Sequence, residues 1–348
     1  MITRSAEVLH RFAKQILMAA GTREPHAERV ATALIASNLA GVDTHGLWHM
    51  SQHVQALRNG EIDPNTEPEI LQETEASALI RGHWCFGHVT AKFGMEVAIA
   101  KAKTQGVAVV GMVELPHMGR VGEYAEMATA QDLIATIWAG GFGEKAPAAA
   151  PYGGKQRLLH TNPLAIGFPM GDAPPMLIDF ATTAISGVKI ELARSHEKQL
   201  APGSIIDKDG NPTTDPNAFF AGGAHIPFGG YKGYALMMAV EYFGRILTGS
   251  DGFAHQPRGG AIFGFSGMTA LVLRADLFRP FADYAASAQE MRERIHASPP
   301  APGFPAVLVP GDPESAAHTT RQRDGIPIDD LLWAELVALG QTLNVEAP

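Results

Sequence analysis

The sequence predicts an α/β fold opened by a helical N-terminal region. Through the first 60 or so residues, apolar side chains recur at helical spacing. From about residue 78, short runs of β-branched and apolar residues alternate with helical patterns. No apolar run reaches the roughly 18 residues of a membrane span. The chain has 348 residues, 46% hydrophobic and 18% charged, enough for two domains or one large one with a substantial core.

Taken in order, Leu9, Phe12, Ala13, Ile16 and Leu17 define one helical face over 5–20. Val30, Leu34, Ile35 and Leu39 repeat it over 24–41, where Gly41 breaks the pattern. A third helix is expected from about His45 to Leu57, stopped by Asn59-Gly60. Ala78–Ile80 reads as a short strand, and Phe86–Thr104 as a helix with Val89, Phe93, Val97 and Ala100 on one face. Val107–Val113 is a buried strand, Val121–Thr129 a helix, and Leu133–Trp138 a second strand. Further strands are expected at Leu164–Phe168, Met176–Asp179 and Ala270–Leu273. Tyr231–Leu247 is an apolar helix, 199–217 is polar and turn-rich, and 298–303 is an extended crossing. A last helix, Ile328–Leu343, places acidic residues in its first turn, as the helix dipole prefers.

A formal charge of −9 without a Lys/Arg block argues against nucleic acid or anionic membranes as partners. Cys85 stands alone, which excludes a disulfide framework or a Cys-rich metal site. The first residues lack the apolar core of a secretory leader, and a reducing cytoplasm is the expected setting. There is no G-x-G-x-x-G after a strand, no phosphate-binding P-loop and no G-x-S-x-G elbow.

The chemistry concentrates at Val42-Asp43-Thr44-His45-Gly46, followed by His49 and His53. Histidine titrates nearest neutral pH, so His45 suits proton transfer, although Asp43 or Thr44 also reads as a helix cap beside a bystander histidine. On a helix, His45, His49 and His53 would share one face, which leaves open an acid/base cluster or a metal site. In Gly111–Arg120 a strand feeds a Pro/His/Gly turn that opens a helix, a common setting for ligands. Phe228–Tyr234 combines close-approach glycines with Lys232, which suits a phosphate or carboxylate. Asp207–Asp215 has its glycine and final residue in the wrong places for a calcium loop and reads as a polar surface turn.

In order and spacing, several segments together resemble the type 2 malate/L-lactate dehydrogenase family. They are Asp43-Thr44-His45-Gly46, Asn59-Gly60-Glu61-Ile62, Pro116-His117-Met118-Gly119, Thr161–Gly167, Ile178-Asp179-Phe180-Ala181-Thr182, Asp209–Thr214, Pro227–Gly233 and Asp324-Gly325-Ile326-Pro327. Relatives include ureidoglycolate and sulfolactate dehydrogenases, diketogulonate reductase and Δ1-piperideine-2-carboxylate reductases. The resemblance implies an NAD(P)-dependent oxidoreductase with a non-Rossmann cofactor domain, assembled as a homodimer or higher oligomer. It implies a small 2-oxo or 2-hydroxy acid, or a cyclic imine carboxylate, as substrate. Residues 1–115, joined by 300–348, would form the helical substrate and dimer region, and 116–299 the cofactor-binding domain.

Carried over residue by residue, His45 matches the family's proton donor/acceptor, Thr44 keeps the usual hydroxyl, and His117 matches a second catalytic-edge histidine. Asp43 or Asp179 would orient the His45 ring. His117, Met118, Gly119, Ile178, Asp179, Phe180, Ala181, Thr182, Tyr231, Lys232, Gly311, Asp312 and Pro313 match cofactor-contacting segments. His49 and His53 stand where relatives place an arginine and an aromatic residue, and Arg120 replaces a small residue. All three are expected to face substrate, with Arg120 or Lys232 able to hold its carboxylate. If a charged His49 holds that carboxylate, affinity should weaken as pH rises past about 7. No metal is expected on this reading. The alternatives are a metal-dependent lyase or hydrolase built on His45, His49 and His53, and a catalytically impaired nucleotide-binding relative.

Overall fold

A computed structural model of the chain describes residues 1–141, 147–253, 262–264 and 266–348. Strand β1 (Ile2–Arg4) leads into α1 (Ala6–Ala19), which Ser5 caps by accepting the Val8 N–H. The buried face of α1 is the expected Leu9, Phe12, Ala13, Ile16 and Leu17. Helix α2 (Glu24–Leu39) starts at Pro25, whose missing N–H costs nothing in a first turn, and buries Val30, Leu34, Ile35 and Leu39.

The third helix departs from expectation. Two 3-10 turns, Asp43–His45 and Leu47–His49, precede α3 (Met50–Arg58). Gly46 is the cause, because its backbone is extended (φ −93°, ψ −142°) and breaks the helix between the two turns. The buried Asn38 side chain lies so close that a Cβ on Gly46 would sit 2.2 Å from its Oδ1. That oxygen accepts the Leu47 N–H at 2.9 Å. His45, His49 and His53 therefore do not form a single helical stripe.

Strands β2 (Glu69–Glu73) and β3 (Ser77–Arg81) form a hairpin. Helix α4 (Gly87–Gln105) carries the chain from β3 to the parallel strand β4 (Val107–Leu115). Gly106, at φ +85°, ends α4 in the left-handed conformation glycine adopts without strain. Helix α5 (Gly122–Thr129) precedes β5 (Leu133–Gly140), and β6 (Pro163–Met170) and β7 (Ala173–Ala181) follow as a hairpin. After α6 (Gly187–Ser195), the strands β8 (Ile205–Ile206), β9 (Pro212–Thr213) and β10 (Ala224–His225) form a small sheet around α7 (Pro216–Phe220). Within it, Asp207 accepts the Asp209 and Asn211 N–H groups, each at 2.9 Å, as a polar surface turn should. Helix α8 (Tyr231–Glu241) continues into a π turn at Tyr242–Ile246, and β11 (Ser266–Arg274) returns to the main sheet. Helices α9 (Phe281–His296) and α10 (Asp312–Asp324), strand β12 (Ile326–Ile328) and α11 (Asp330–Thr342) complete the chain.

The seven-stranded sheet has the order β2-β3-β4-β11-β5-β6-β7, with β3–β4 its one parallel pair. This is not a doubly wound parallel sheet, which agrees with the missing glycine fingerprint. Small residues on α4 (Ala91, Ala98, Ala102) let it pack tightly against Val110 and Met112 of β4. A second core joins α1 to α3 with Ile326, Ile328, Leu332 and Leu336 from the C-terminal segment, and β1 pairs with β12. Strands from both sides of residue 115 share the main sheet. Among the described residues, no helix is long and apolar enough to cross a membrane.

Candidate active site

The loop carrying His45 is fixed from behind. Arg321 of α10 donates to both carboxylate oxygens of Asp43 (2.6 and 3.0 Å), and Asn38 Nδ2 donates to the same group at 2.6 Å. Asp43 thus shapes the loop, and the hydrogen bond to the His45 ring comes from its neighbour: Thr44 Oγ1 lies 3.2 Å from Nδ1. His45 stacks on His117 with ring centroids 5.6 Å apart, and His49 lies 4.5 Å from the same ring. His117 is delivered by the turn after β4, which Tyr124 holds by donating its hydroxyl to the Met118 carbonyl at 2.5 Å.

A fifth histidine joins this group. His88 stands in the first turn of α4, its ring 6.1 Å from His117 and 5.3 Å from His53. Gly87 makes the approach possible, since a Cβ there would lie 2.2 Å from the Pro116 carbonyl oxygen. Burial lowers every ring below its ordinary value, His45 and His53 to about 3, and neighbouring histidines reinforce it for all but His49. His45, His53, His88 and His117 are therefore neutral at pH 7. For His49 burial works in the same direction, against the charged ring that would grip a carboxylate, while its hydrogen bonds to Gln52 and Thr44 work the other way.

His45, His49 and His117 wall a cavity of about 600 Å³. Its other side is formed by Asp179–Ala181 of β7 and by Ile185–Lys189, where α6 begins. Arg120 also lines it and is only 3% exposed. One guanidinium nitrogen of Arg120 donates to Glu126 at 2.5 Å, while Nε and Nη1 have no protein partner. Leaving such donors buried and unmatched is costly, so this edge is poised for an anion. Asp179 accepts the Gly122 N–H at 2.8 Å. Burial raises its carboxyl to about 6 against the opposing pull of Arg120.

The remaining sequence-derived residues divide. Met118, Gly119, Phe180 and Ala181 line the cavity with His117. Ile178 and Thr182 flank this wall without lining it, and Thr182 donates to the Thr161 and Asn162 carbonyls. His53 lies behind it, its ring 4.7 Å from Phe263 and 5.7 Å from Phe86. Tyr231 and Lys232 are exposed at the start of α8 and do not line the cavity. Gly311 lines a neighbouring cavity of about 490 Å³ that shares Arg120 and Glu314. Asp312 pairs with Arg292 (2.5 Å) and His296 (2.7 Å), next to Pro313 in the first turn of α10. Sequence reasoning missed His88, His160, His225 and the 185–189 segment. Only the last carried a local signal, the capping Ser186 before Gly187.

The proposed metal set of His45, His49 and His53 is not the one that converges: the close group among the described residues is His53, His88 and His117. Nor do related proteins favour a lyase or hydrolase. The malate/L-lactate dehydrogenase family matches residues 4–337. The chain is 33% identical over 341 residues to a malate/(S)-sulfolactate dehydrogenase of Methanothermus fervidus, covering 95% of each. It is 33% identical over 334 residues to hydroxycarboxylate dehydrogenase B of Escherichia coli, covering 94% of this chain and 91% of the relative. The solved sulfolactate dehydrogenase of Methanocaldococcus jannaschii superposes with a TM-score of 0.88 at 32% identity, over 99% of this chain and 98% of that one. The Δ1-piperideine-2-carboxylate reductase of Pseudomonas syringae superposes at 0.86 and 26% identity, over 97% and 100%. This chain belongs to the malate/L-lactate dehydrogenase family and is an oxidoreductase acting on CH–OH groups.

Proposed function

We propose that the chain is an NAD(P)-dependent dehydrogenase/reductase interconverting a small 2-hydroxy acid and its 2-oxo acid, or reducing a related cyclic imine carboxylate. One observation carries the reading: His45 and the unpartnered edge of Arg120 wall the same cavity. The cavity also suits a nucleotide. The N-terminus of α6 and Lys189 both line it and favour phosphate, and the buried donors of Arg120 favour a second anion.

Bound there, the nicotinamide supplies or accepts the hydride. Arg120 holds the substrate carboxylate through a permanent charge. His45, neutral and with Nδ1 engaged by Thr44, has Nε2 left to accept the hydroxyl proton in oxidation or return it in reduction. A carboxylate held by Arg120 near this ring favours the imidazolium and raises it from its low resting value. His117 stacks on His45 and fixes the plane of its ring.

Residues 1–115 with 300–348 supply His45 and its supports, and 116–299 supply Arg120, Asp179 and the α6 terminus. The exposed Tyr242, Phe243, Ile246 and Leu247 beside α8 support assembly into a homodimer or larger oligomer. A reducing cytoplasm suits the buried Cys85, whose thiol burial pushes up to about 11.

The test is a fluorescence titration with NADH and NADPH, then an absorbance screen against pyruvate, oxaloacetate, phenylpyruvate and cyclic imine carboxylates. Saturable nucleotide binding with turnover of one acid is expected. His45→Asn should lower kcat by about 100-fold or more with cofactor affinity little changed. Binding of neither nucleotide overturns the reading, and a His45→Asn variant with wild-type kcat moves the proton-transfer role to His117.

A further inference from the structure

We propose that His53, His88 and His117 form a binding site for one divalent transition-metal ion of the zinc class. One ring nitrogen from each lies within 4.8 Å of the others. A tetrahedral ion with Zn–N bonds of about 2.0–2.1 Å sets its ligand nitrogens about 3.4 Å apart, so each atom need move inward by only about 1 Å or less. The three come from separate elements, α3, the first turn of α4 and the turn after β4.

The stronger reason is what these rings lack. His53 and His88 are completely buried, and neither ring nitrogen of either one has a hydrogen-bond partner. Nδ1 of His117 is likewise enclosed and unpartnered. That leaves five polar ring atoms in one small volume, and each buried polar group left unmatched is destabilising. Phe86 and Phe263 pack against His53 and supply no polar atom to relieve it. One ion takes a lone pair from each of the three rings at once. The ligand set selects the metal: neutral imidazoles suit Zn²⁺, Co²⁺, Ni²⁺ or Cu²⁺, whereas Mg²⁺ and Ca²⁺ require oxygen ligands.

Three protein ligands leave a tetrahedral ion one position for water or another donor. His117 reaches the wall of the main cavity, so the ion anchors that ring and, through its stacking, the plane of His45. The site is independent of the redox reading: it stands or fails on metal content alone.

The full-length chain, without a histidine tag, is loaded with Zn²⁺ or Co²⁺, freed of excess metal by gel filtration and assayed by elemental analysis and visible absorption. The expected result is one ion per chain, intense Co²⁺ d–d bands of a four-coordinate site, and a Tm that rises with metal and falls on chelation. Loss of an outer-shell partner alone weakens metal sites by about 10–100-fold, so His53→Gln and His88→Gln should each weaken binding by about 100-fold or more. His49→Gln, outside the set, should retain the ion. Metal content well below one per chain, weak six-coordinate Co²⁺ bands in the wild type, or binding unchanged in His88→Gln overturns the proposal.

Discussion

At the scale of single residues, the substrate anchor separates two cations that look interchangeable in sequence. Burial lowers His49, which works against a charged ring there. Arg120 stays charged, supported against burial by Glu126, Asp179 and Glu123. The KM for a 2-oxo acid should therefore be flat from about pH 6 to 8.5, within which a guanidinium does not titrate. A KM that climbs as pH passes 7 would return the carboxylate to His49. Local sequence offered Asp43 or Asp179 to orient the His45 ring, whereas in the structure the hydroxyl of Thr44 meets it. It did not show that Asp43 is engaged by Arg321, 278 residues away.

At the scale of elements, α4 and the turn after β4 are held together by an absent side chain. An alanine at Gly87 would place its Cβ 2.2 Å from the Pro116 carbonyl and 2.6 Å from that of His117. Backbone atoms cannot swing aside, so the helix must shift. Overpacking of this kind costs about 1–3 kcal/mol, against a helix-propensity gain of about 1 kcal/mol. Gly87→Ala should lower the denaturation midpoint and separate His88 from His117. An unchanged or raised midpoint would show that the turn has slack. The N-terminal helices were legible because their buried faces follow the 3.6-residue period. The expected helix at His45 failed because the Asn38 side chain, bonded to Leu47, crowds an extended Gly46.

At the scale of the molecule, buried neutral histidines couple folding to pH. Burial lowers His160 to about 4 and His225 to about 3, both beside the main cavity. Unfolding restores an ordinary value near 6.5, so between that pH and the folded values the unfolded chain binds more protons. Their contribution is complete above about pH 6.5 and is lost as pH falls toward 4 and then 3, by on the order of 1 kcal/mol per ring per pH unit. Urea midpoints should drop between pH 7 and 4.5, and His225→Gln should shallow that drop. An equal drop in the variant would place the acid sensitivity elsewhere.

The sequence by itself determined the α/β class, six of the seven strands of the main sheet, the helical opening and the family, because each rests on local periodicity or on motifs contiguous in the chain. Tertiary structure alone decided that one parallel strand pair lies within an otherwise antiparallel sheet, since register and strand order depend on partners far apart in sequence. It also decided which histidines meet. His88 lies 29 residues before His117 on a helix whose core face was expected at Val89, Phe93, Val97 and Ala100 but which buries the His88, Ala91, Met95 and Ala98 side, and only the close approach allowed by Gly87 brings the two rings together.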